Sequence, residues 1–516
     1  MNDRIAAAFD QLPGYLGEHV LLSASALVLG LAISLPLAVA ASRSASLRWP
    51  VLALASLVQT IPSIALLALF YPLLLALSAA TERLLGQGFS ALGFLPSLLA
   101  LTLYSMLPIL RNGVTAIVNI DPAVIEAARG VGMTDRQRLL RIELPLAAPV
   151  LMAGIRTSAV WVIGTATLAT PVGQTSLGNY IFSGLQVQNW VSVLFGCVAA
   201  AALALIVDQL LGLIETGVTR RDRRHVLAGA AALIVGTAAA IAPTLGSGAS
   251  AYVLGAKSFS EQYILSELMA ERIRAQGFSA RRNTGLGSMI AFRALARGEI
   301  DAYVDYSGTI WANIMQRQES ASRQTVLADM EEWLRREHGV KLLGPLGFEN
   351  AYALAMRRDR ARELGIRTID DLARHAPNLR MGGDFEFFAR PEWSALRDRY
   401  GLHFAQQRQF QSTFMYRAVV SGEVDVISAF SSDGRIAAYD LVVLEDPRQV
   451  IPPYDAVILL SPARADDPVL HRALEPLVGA IPIELMRQAN LMVDRDQDKL
   501  TPLQAARWLS EAAGLD

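Results

Sequence analysis

Apolar runs long enough to cross a bilayer lie on both sides of the stretch Glu126–Pro145, which cannot itself lie in lipid because it carries Arg129, Arg136, Arg138 and Arg141. Glu126, Ala127 and Ala128 are good helix formers, and Gly132 permits a sharp turn. Arg136 to Leu144 can start a second short helix that Pro145 limits. The pattern predicts two short helices at a tight angle, forming a compact knob on a membrane surface.

Around that knob the chain divides into halves of different kinds. Residues 1–250 hold 14 Arg and 11 Asp or Glu, a net charge of +3, whereas residues 251–516 hold 32 basic and 36 acidic residues, a net of −4. The first composition suits a membrane and the second water, so the near-neutral total conceals two domains. No basic run stands near stacking aromatics, which excludes the nucleic-acid-binding pattern. The single cysteine, Cys197, cannot form a disulfide within one chain, and its apolar surroundings predict a small buried hydrophobe.

Apolar segments at 16–41, 49–79, 91–118, 147–170, 190–217 and 226–245 can each supply the ~20 residues of a spanning helix. Pro62 and Pro72 predict a kink or break in the second. Arg43 and Arg48 follow the first span, the Glu126 loop follows the third, and Arg220, Arg221, Arg223 and Arg224 follow the fifth. The intervening loops have only Arg83, balanced by Glu82. Excess Arg marks the cytoplasmic side, so the N-terminus and everything after the sixth span are expected outside. A basic cluster, an apolar run and Ala249-Ser250-Ala251 also resemble a secretory signal placed inside a chain. The segment either anchors the second half or is cut to release it, and a full-length apolar run favours the anchor.

The second half contains an internal repeat. Arg293-Ala294 precedes Gly298-Glu299-Ile300-Asp301, and Arg417-Ala418 precedes Gly422-Glu423-Val424-Asp425, each pair 124 residues apart. Each copy has a helical pattern, at Met289–Ala296 and Thr413–Val420, leading into a short strand with an aromatic end. Tyr252–Lys257 and Leu379–Gly383 read as the first strand of each copy. Two such α/β units imply two lobes, and a ligand cleft outside the carboxyl ends of their strands.

Two family resemblances rest on these features. Glu126-Ala127-Ala128, Gly132, Ile142 and Leu144-Pro145 resemble the coupling-helix signature of permease subunits of binding-protein-dependent ABC importers. In that family the loop docks into a separate cytoplasmic ATPase, and the fold is a type I importer permease of about six spans. The second half resembles the bilobal binding proteins of glycine betaine, carnitine and choline importers, a type II periplasmic-binding-protein fold. The marks are Gly255-Ala256-Lys257-Ser258-Phe259-Ser260-Glu261-Gln262, Asp301 to Thr309, and Ser431-Ser432-Asp433-Gly434-Arg435. Fusion of such a domain behind its permease is known in this group, including ergothioneine-importer-like members. The expected domains are a permease over 1–225 with its coupling loop at 121–145, a sixth span and linker over 226–251, and a binding domain over 252–516. Its first lobe is expected at about 252–348 and 455–516, its second at about 349–454.

The resemblance also implies site residues. A quaternary ammonium group has no N–H to donate, so aromatic faces hold it, at about 0.5–2 kcal/mol each. Tyr303, Phe430 and Tyr454 are the implied rings. Strand alternation turns Tyr306 away from Tyr303 and makes it the weaker candidate, while Asp301 shares Tyr303's face. Phe430 stands where relatives often have Tyr, and a further aromatic near Gly285–Ser288 is absent. Glu386 and Arg390 are four apart and share a face if helical, and the resemblance places them at the cleft, with Arg390 as a carboxylate fork. Lys257, Gln262 and Ser288 are lesser polar candidates.

No pair among the six histidines has metal-ligand spacing, no lysine follows a Gly in a phosphate-loop pattern, and no nucleophile elbow occurs. The chain therefore reads as a transporter subunit without cofactor or metal, not an enzyme. It is expected to import a small quaternary-ammonium compound, as a permease homodimer in membrane lipid with an ATPase from another gene. Import of amino acids or other small polar solutes and a membrane ligand sensor are the alternatives. The predicted location is the inner membrane, with 252–516 outside. Protease added outside spheroplasts should digest 252–516 and leave Arg136 protected, whereas protection of the second half contradicts the six-span orientation.

Overall fold

The computed structural model describes residues 2–85, 89, 93–186, 189–246, 251–317, 321–495 and 497–515. Backbone proximity divides the chain into two compact units, 1–182 with 191–248, and 249–516 with 183–190. Residues Ala249 and Ser250 of the signal-like segment lie outside the described residues.

The first unit is helical, and among the described residues six helical stretches are long and apolar enough to span a membrane. Helix α1 (Asn2–Arg43) runs through Pro13 and Pro36. α2 (Ala45–Thr60) ends where Ile61 turns extended, with φ −74° and ψ 128°. That is the conformation Pro62 demands of the residue before it, so the second apolar segment breaks there and α3 (Ser63–Leu85) begins afresh. Pro72 lies inside α3 without ending it. α4 (Phe94–Val118) carries the most buried face of the unit and packs along α1, α2 and α7.

Between α4 and α7 (Leu144–Ala166) lies the charged stretch. Asp121 caps α5 (Pro122–Gly130) by accepting from the Ala123 N–H, and Pro122 opens the helix where its missing N–H costs nothing. Gly132 has φ +81°, a left-handed turn that glycine makes without strain. Thr134 and Gln137 then form a reciprocal capping box on α6 (Asp135–Arg138). A π-helical turn, Leu139–Glu143, leads directly into α7. Pro145 therefore sits in the first turn of α7 and starts that helix, where the sequence reading had it limiting a shorter one. α8 (Gly178–Gln186), α9 (Trp190–Arg220) and α10 (Arg223–Gly246) follow, with the end of α8 among the residues grouped with the second unit. Cys197 is exposed on α9, not buried, since its apolar run presents that face outward from the helix packing.

The second unit is built on two five-stranded sheets. β1 (Tyr252–Lys257), β2 (Ala280–Leu286) and β3 (Ala302–Tyr306) are parallel, with β10 (Asp455–Leu460) antiparallel between β3 and β4 (Lys341–Glu349). In the other sheet β6 (Arg380–Asp384), β7 (Gln406–Phe410) and β8 (Val426–Phe430) are parallel, with β5 (Tyr352–Arg357) antiparallel between β8 and β9 (Leu441–Val443). Helices α11 (Ser260–Ala275) and α12 (Ser288–Ala296) connect the first parallel trio, and helices Pro391–Tyr400 and Ser412–Val420 the second. The repeat is exact in two elements: α12 and Ser412–Val420, and β3 and β8, keep the 124-residue offset end to end. The chain crosses between the sheets twice, at Asn350–Ala351 and over Leu444–Tyr454.

Candidate functional site

A cavity of about 200 Å³ opens in the second unit where the parallel strands of both sheets end, the place that open α/β sheets offer to ligands. Lys257 ends β1, Leu286 ends β2 and Tyr306 ends β3; opposite them, Asp384 ends β6, Gln411 follows β7 and Phe430 ends β8. Asn350 and Tyr454, from the two crossings, close the back.

Rings dominate the lining. Phe430 lies parallel to Phe259, with centroids 6.3 Å apart, and tilts against Tyr352 at 5.1 Å. Tyr352 in turn meets Tyr454 edge-on at 6.1 Å. The Tyr306 hydroxyl donates to Glu261 at 2.6 Å and that of Tyr454 to Glu392. Burial, and then the neighbouring carboxylates, push both phenols far above the usual tyrosine range, so both rings stay neutral. The protein's own cations already use some ring faces: the Lys257 ammonium lies 5.1 Å over Tyr306, and the Arg390 guanidinium 5.1 Å over Tyr352.

The two cations differ in how far they are satisfied. Lys257 is paired with the fully buried Asp305, which also takes the Tyr303 hydroxyl, so its charge is neutralised within the first lobe. Arg390 is 8 % exposed and donates from Nη2 to Glu386 Oε2 at 2.7 Å. Its Nε and Nη1 have no hydrogen-bond partner among the described residues. Its Nη1 also lies 3.8 Å from the buried Glu392 Oε1, and a guanidinium can bind a planar carboxylate by two parallel bonds.

Behind the rings a polar knot ties the lobes to their crossing. Buried Glu261 accepts from Tyr306, from Asn350 Nδ2 at 3.0 Å, and from Asn490 Nδ2 at 2.9 Å. Asn490 also donates to the Ser432 carbonyl of the second lobe at 3.0 Å. Burial raises the Glu261 carboxyl above the usual range, against the opposing pull of these donors. Tyr306 is thereby held by a group that also holds the crossing at Asn350.

In the first unit the charged stretch buries Arg138 and Glu143 while exposing Val131 and Leu140. Glu126, Ala127, Gly132 and Pro145 are exposed, Ile142 and Leu144 are half-buried, and Ala128 is buried. Val131, 75 % exposed at the turn, gives the knob an apolar tip.

Comparison with known proteins agrees with this division. Residues 251–511 match the family described as the substrate binding domain of ABC-type glycine betaine transport system. Residues 30–220 match the binding-protein-dependent transport system inner membrane component. The chain belongs to these families, as a permease fused to its substrate-binding domain. One relative, the ergothioneine transport permease/ergothioneine binding protein of Helicobacter pylori, is 28% identical over 84% of this chain and 78% of its own length. The glycine betaine/carnitine/choline transport system permease protein of Bacillus subtilis is 40% identical over 39% of this chain and 86% of its own length. The glycine-betaine-binding protein of Pseudomonas aeruginosa is 29% identical over 51% of this chain and 88% of its own length.

Within this fused importer subunit the cavity brings together Lys257, Ser288, Tyr306, Glu386, Arg390, Phe430 and Tyr454. Tyr303, Asp301 and Gln262 do not line it. Tyr303 is wholly buried, three residues short of the strand's end. Asp301 precedes β3 at the opposite end, where it accepts from the Val253 N–H and from Arg464. Gln262 is spent on the Val304 carbonyl, the Tyr306 hydroxyl and the Lys257 N–H. Position at the strand end outweighs side-chain alternation, which corrects the preference for Tyr303 over Tyr306. The repeat holds the signal that finds this: the 124-residue offset carries Phe430 onto Tyr306 and Ser412 onto Ser288, and all four line the cavity. Glu386 and Arg390 are not on one helix. A 3-10 turn, Phe387–Ala389, separates them, and Pro391 holds Arg390 extended at ψ 149°. Phe259, Tyr352, Asn350 and Asp384 are among the lining residues that the sequence reading missed.

Phe430→Leu keeps much of the apolar bulk and removes the ring's quadrupole. It should weaken trimethylammonium ligands by about 0.5–2 kcal/mol, up to roughly 30-fold at ~1.4 kcal/mol per decade. Titration calorimetry checks this, and an unchanged affinity assigns the ring to core packing.

Proposed function

We propose that this chain imports a small quaternary-ammonium solute that also carries a carboxylate, as in glycine betaine, carnitine or ergothioneine. The observation that carries the reading is the pairing, in one cavity, of ring faces around Phe430 and Tyr454 with the under-satisfied guanidinium of Arg390. Rings from both lobes and the crossing enclose the cation, and Arg390 takes the carboxylate. The ligands named in these relatives' descriptions, ergothioneine, glycine betaine, carnitine and choline, support the quaternary-ammonium part of the reading.

In this reading the domain from 252 onward lies outside the cytoplasm and delivers ligand to its own permease. Two permease copies form the path, and an ATPase made as a separate chain docks on Glu126–Pro145. The exposed Glu126, Ala127 and Gly132, and the apolar tip at Val131, support that docking face. Ala128, Ile142 and Leu144 hold the knob from beneath, and Pro145 starts the helix that receives its movement.

Calorimetric titration of the full chain in detergent with glycine betaine, carnitine, ergothioneine and choline tests the ligand class. Arg390→Ala should weaken the three carboxylate ligands by about 10- to 100-fold, the range of a hydrogen bond to a charged group at 1.5–3 kcal/mol. Choline, which has no carboxylate, should be spared and serves as the internal control for damage to the fold. Equal losses for all four ligands contradict the fork.

A further inference from the structure

The carboxylate of Glu143, at the entry to α7, ties the knob to the end of α1. It is wholly buried at the end of the π-helical turn, immediately before α7. Its Oε1 accepts from Arg138 Nε of α6 at 2.8 Å, and its Oε2 accepts from Arg43 Nη2, on the last residue of α1. Arg138 is itself only 4 % exposed and also reaches Asp135 Oδ1 at 2.8 Å. Each carboxylate oxygen therefore holds a guanidinium from a different element, with desolvation making either loss expensive. Next to this link lies an apolar layer in which Leu35 and Val39 of α1 and Leu144 of α7 pack on Ala116, Ile117, Ala147 and Leu151. π-Helical turns widen the backbone ring and concentrate at functional positions, and here the turn ends on the linking residue.

We propose that Glu143 is a positioning residue for coupling: it makes α6, α7 and the end of α1 move as one body when the docked ATPase pulls on Glu126–Pro145. The proposal rests on the reading that a separate ATPase docks there. The contact to Arg43 is the informative one, because α1 is distant in sequence and has no other charged tie to the stretch among the described residues.

The test is to reconstitute the full chain with its ATPase in vesicles and measure both ligand uptake and ATP hydrolysis. Parent vesicles that do not transport defeat the ATPase reading, and they do so before any variant is compared. Given a transporting parent, Glu143→Gln and Arg43→Met should hydrolyse ATP at half the parent rate or more, while uptake per ATP falls at least fivefold. Ligand affinity should be unchanged in both. Arg43→Met is the deciding variant, since it leaves the Arg138–Glu143 bond intact and cuts only the tie to α1. Uptake per ATP within twofold of the parent in Arg43→Met overturns the proposal, whether or not Glu143→Gln assembles.

Discussion

A trimethylammonium group offers no N–H or O–H to a host, so only ring faces and electrostatic potential can hold it in preference to water. Under the proposed function, that constraint accounts for the ring-lined cavity of the second unit. Ring faces have to surround the ligand, and a single sheet edge presents them from one side. Two parallel trios of strands, both ending at the same cavity, supply Tyr306 from one sheet and Phe430 from the other, with Tyr454 coming from a crossing. Burial keeps the two tyrosines un-ionised, and their hydroxyls are tied to Glu261 and Glu392, so the rings are fixed before any ligand arrives. Such preorganisation lowers the entropy lost on binding.

The same cavity shows how the protein manages its own charges. Lys257 is neutralised inside the first lobe by Asp305, so it adds little net field. Arg390 donates to Glu386 and faces Glu392 at 3.8 Å, and its Nε and Nη1 make no hydrogen bond among the described residues. In the proposed reading, this inequality leaves Arg390 to take the ligand's carboxylate. In the first unit the logic is reversed: the buried carboxylate of Glu143 is fully met by two guanidiniums, which suits a link and not a ligand site.

Much of this was legible in the sequence, for identifiable reasons. Charge contrast between the halves, the Pro62 break and the 124-residue repeat are properties of composition and local sterics, and each has its counterpart in the helices and sheets. The site was legible only in part. The resemblance pointed to Tyr303 and alternation demoted Tyr306, but β3 stops at Tyr306, and a cavity at strand ends is lined by the last residue. Glu386 and Arg390 were paired by helical spacing; they meet across a 3-10 turn instead, because Pro391 forbids Arg390 the helical conformation. Phe259 and Tyr352 come from segments outside the matched parts of the repeat, so no internal comparison could point to them. Pro145 was read as a stop although proline in the first turn of a helix is a start.

The central claim is that one polypeptide holds both a solute-recognising cleft and the permease it serves. Uptake of radiolabelled glycine betaine, carnitine and ergothioneine into vesicles containing only this chain and its ATPase tests that claim most directly. The account predicts ATP-dependent accumulation of at least one of them with no added binding protein, abolished when residues 252–516 are removed. Accumulation that requires a separate soluble binding protein, or that survives removal of 252–516, contradicts it.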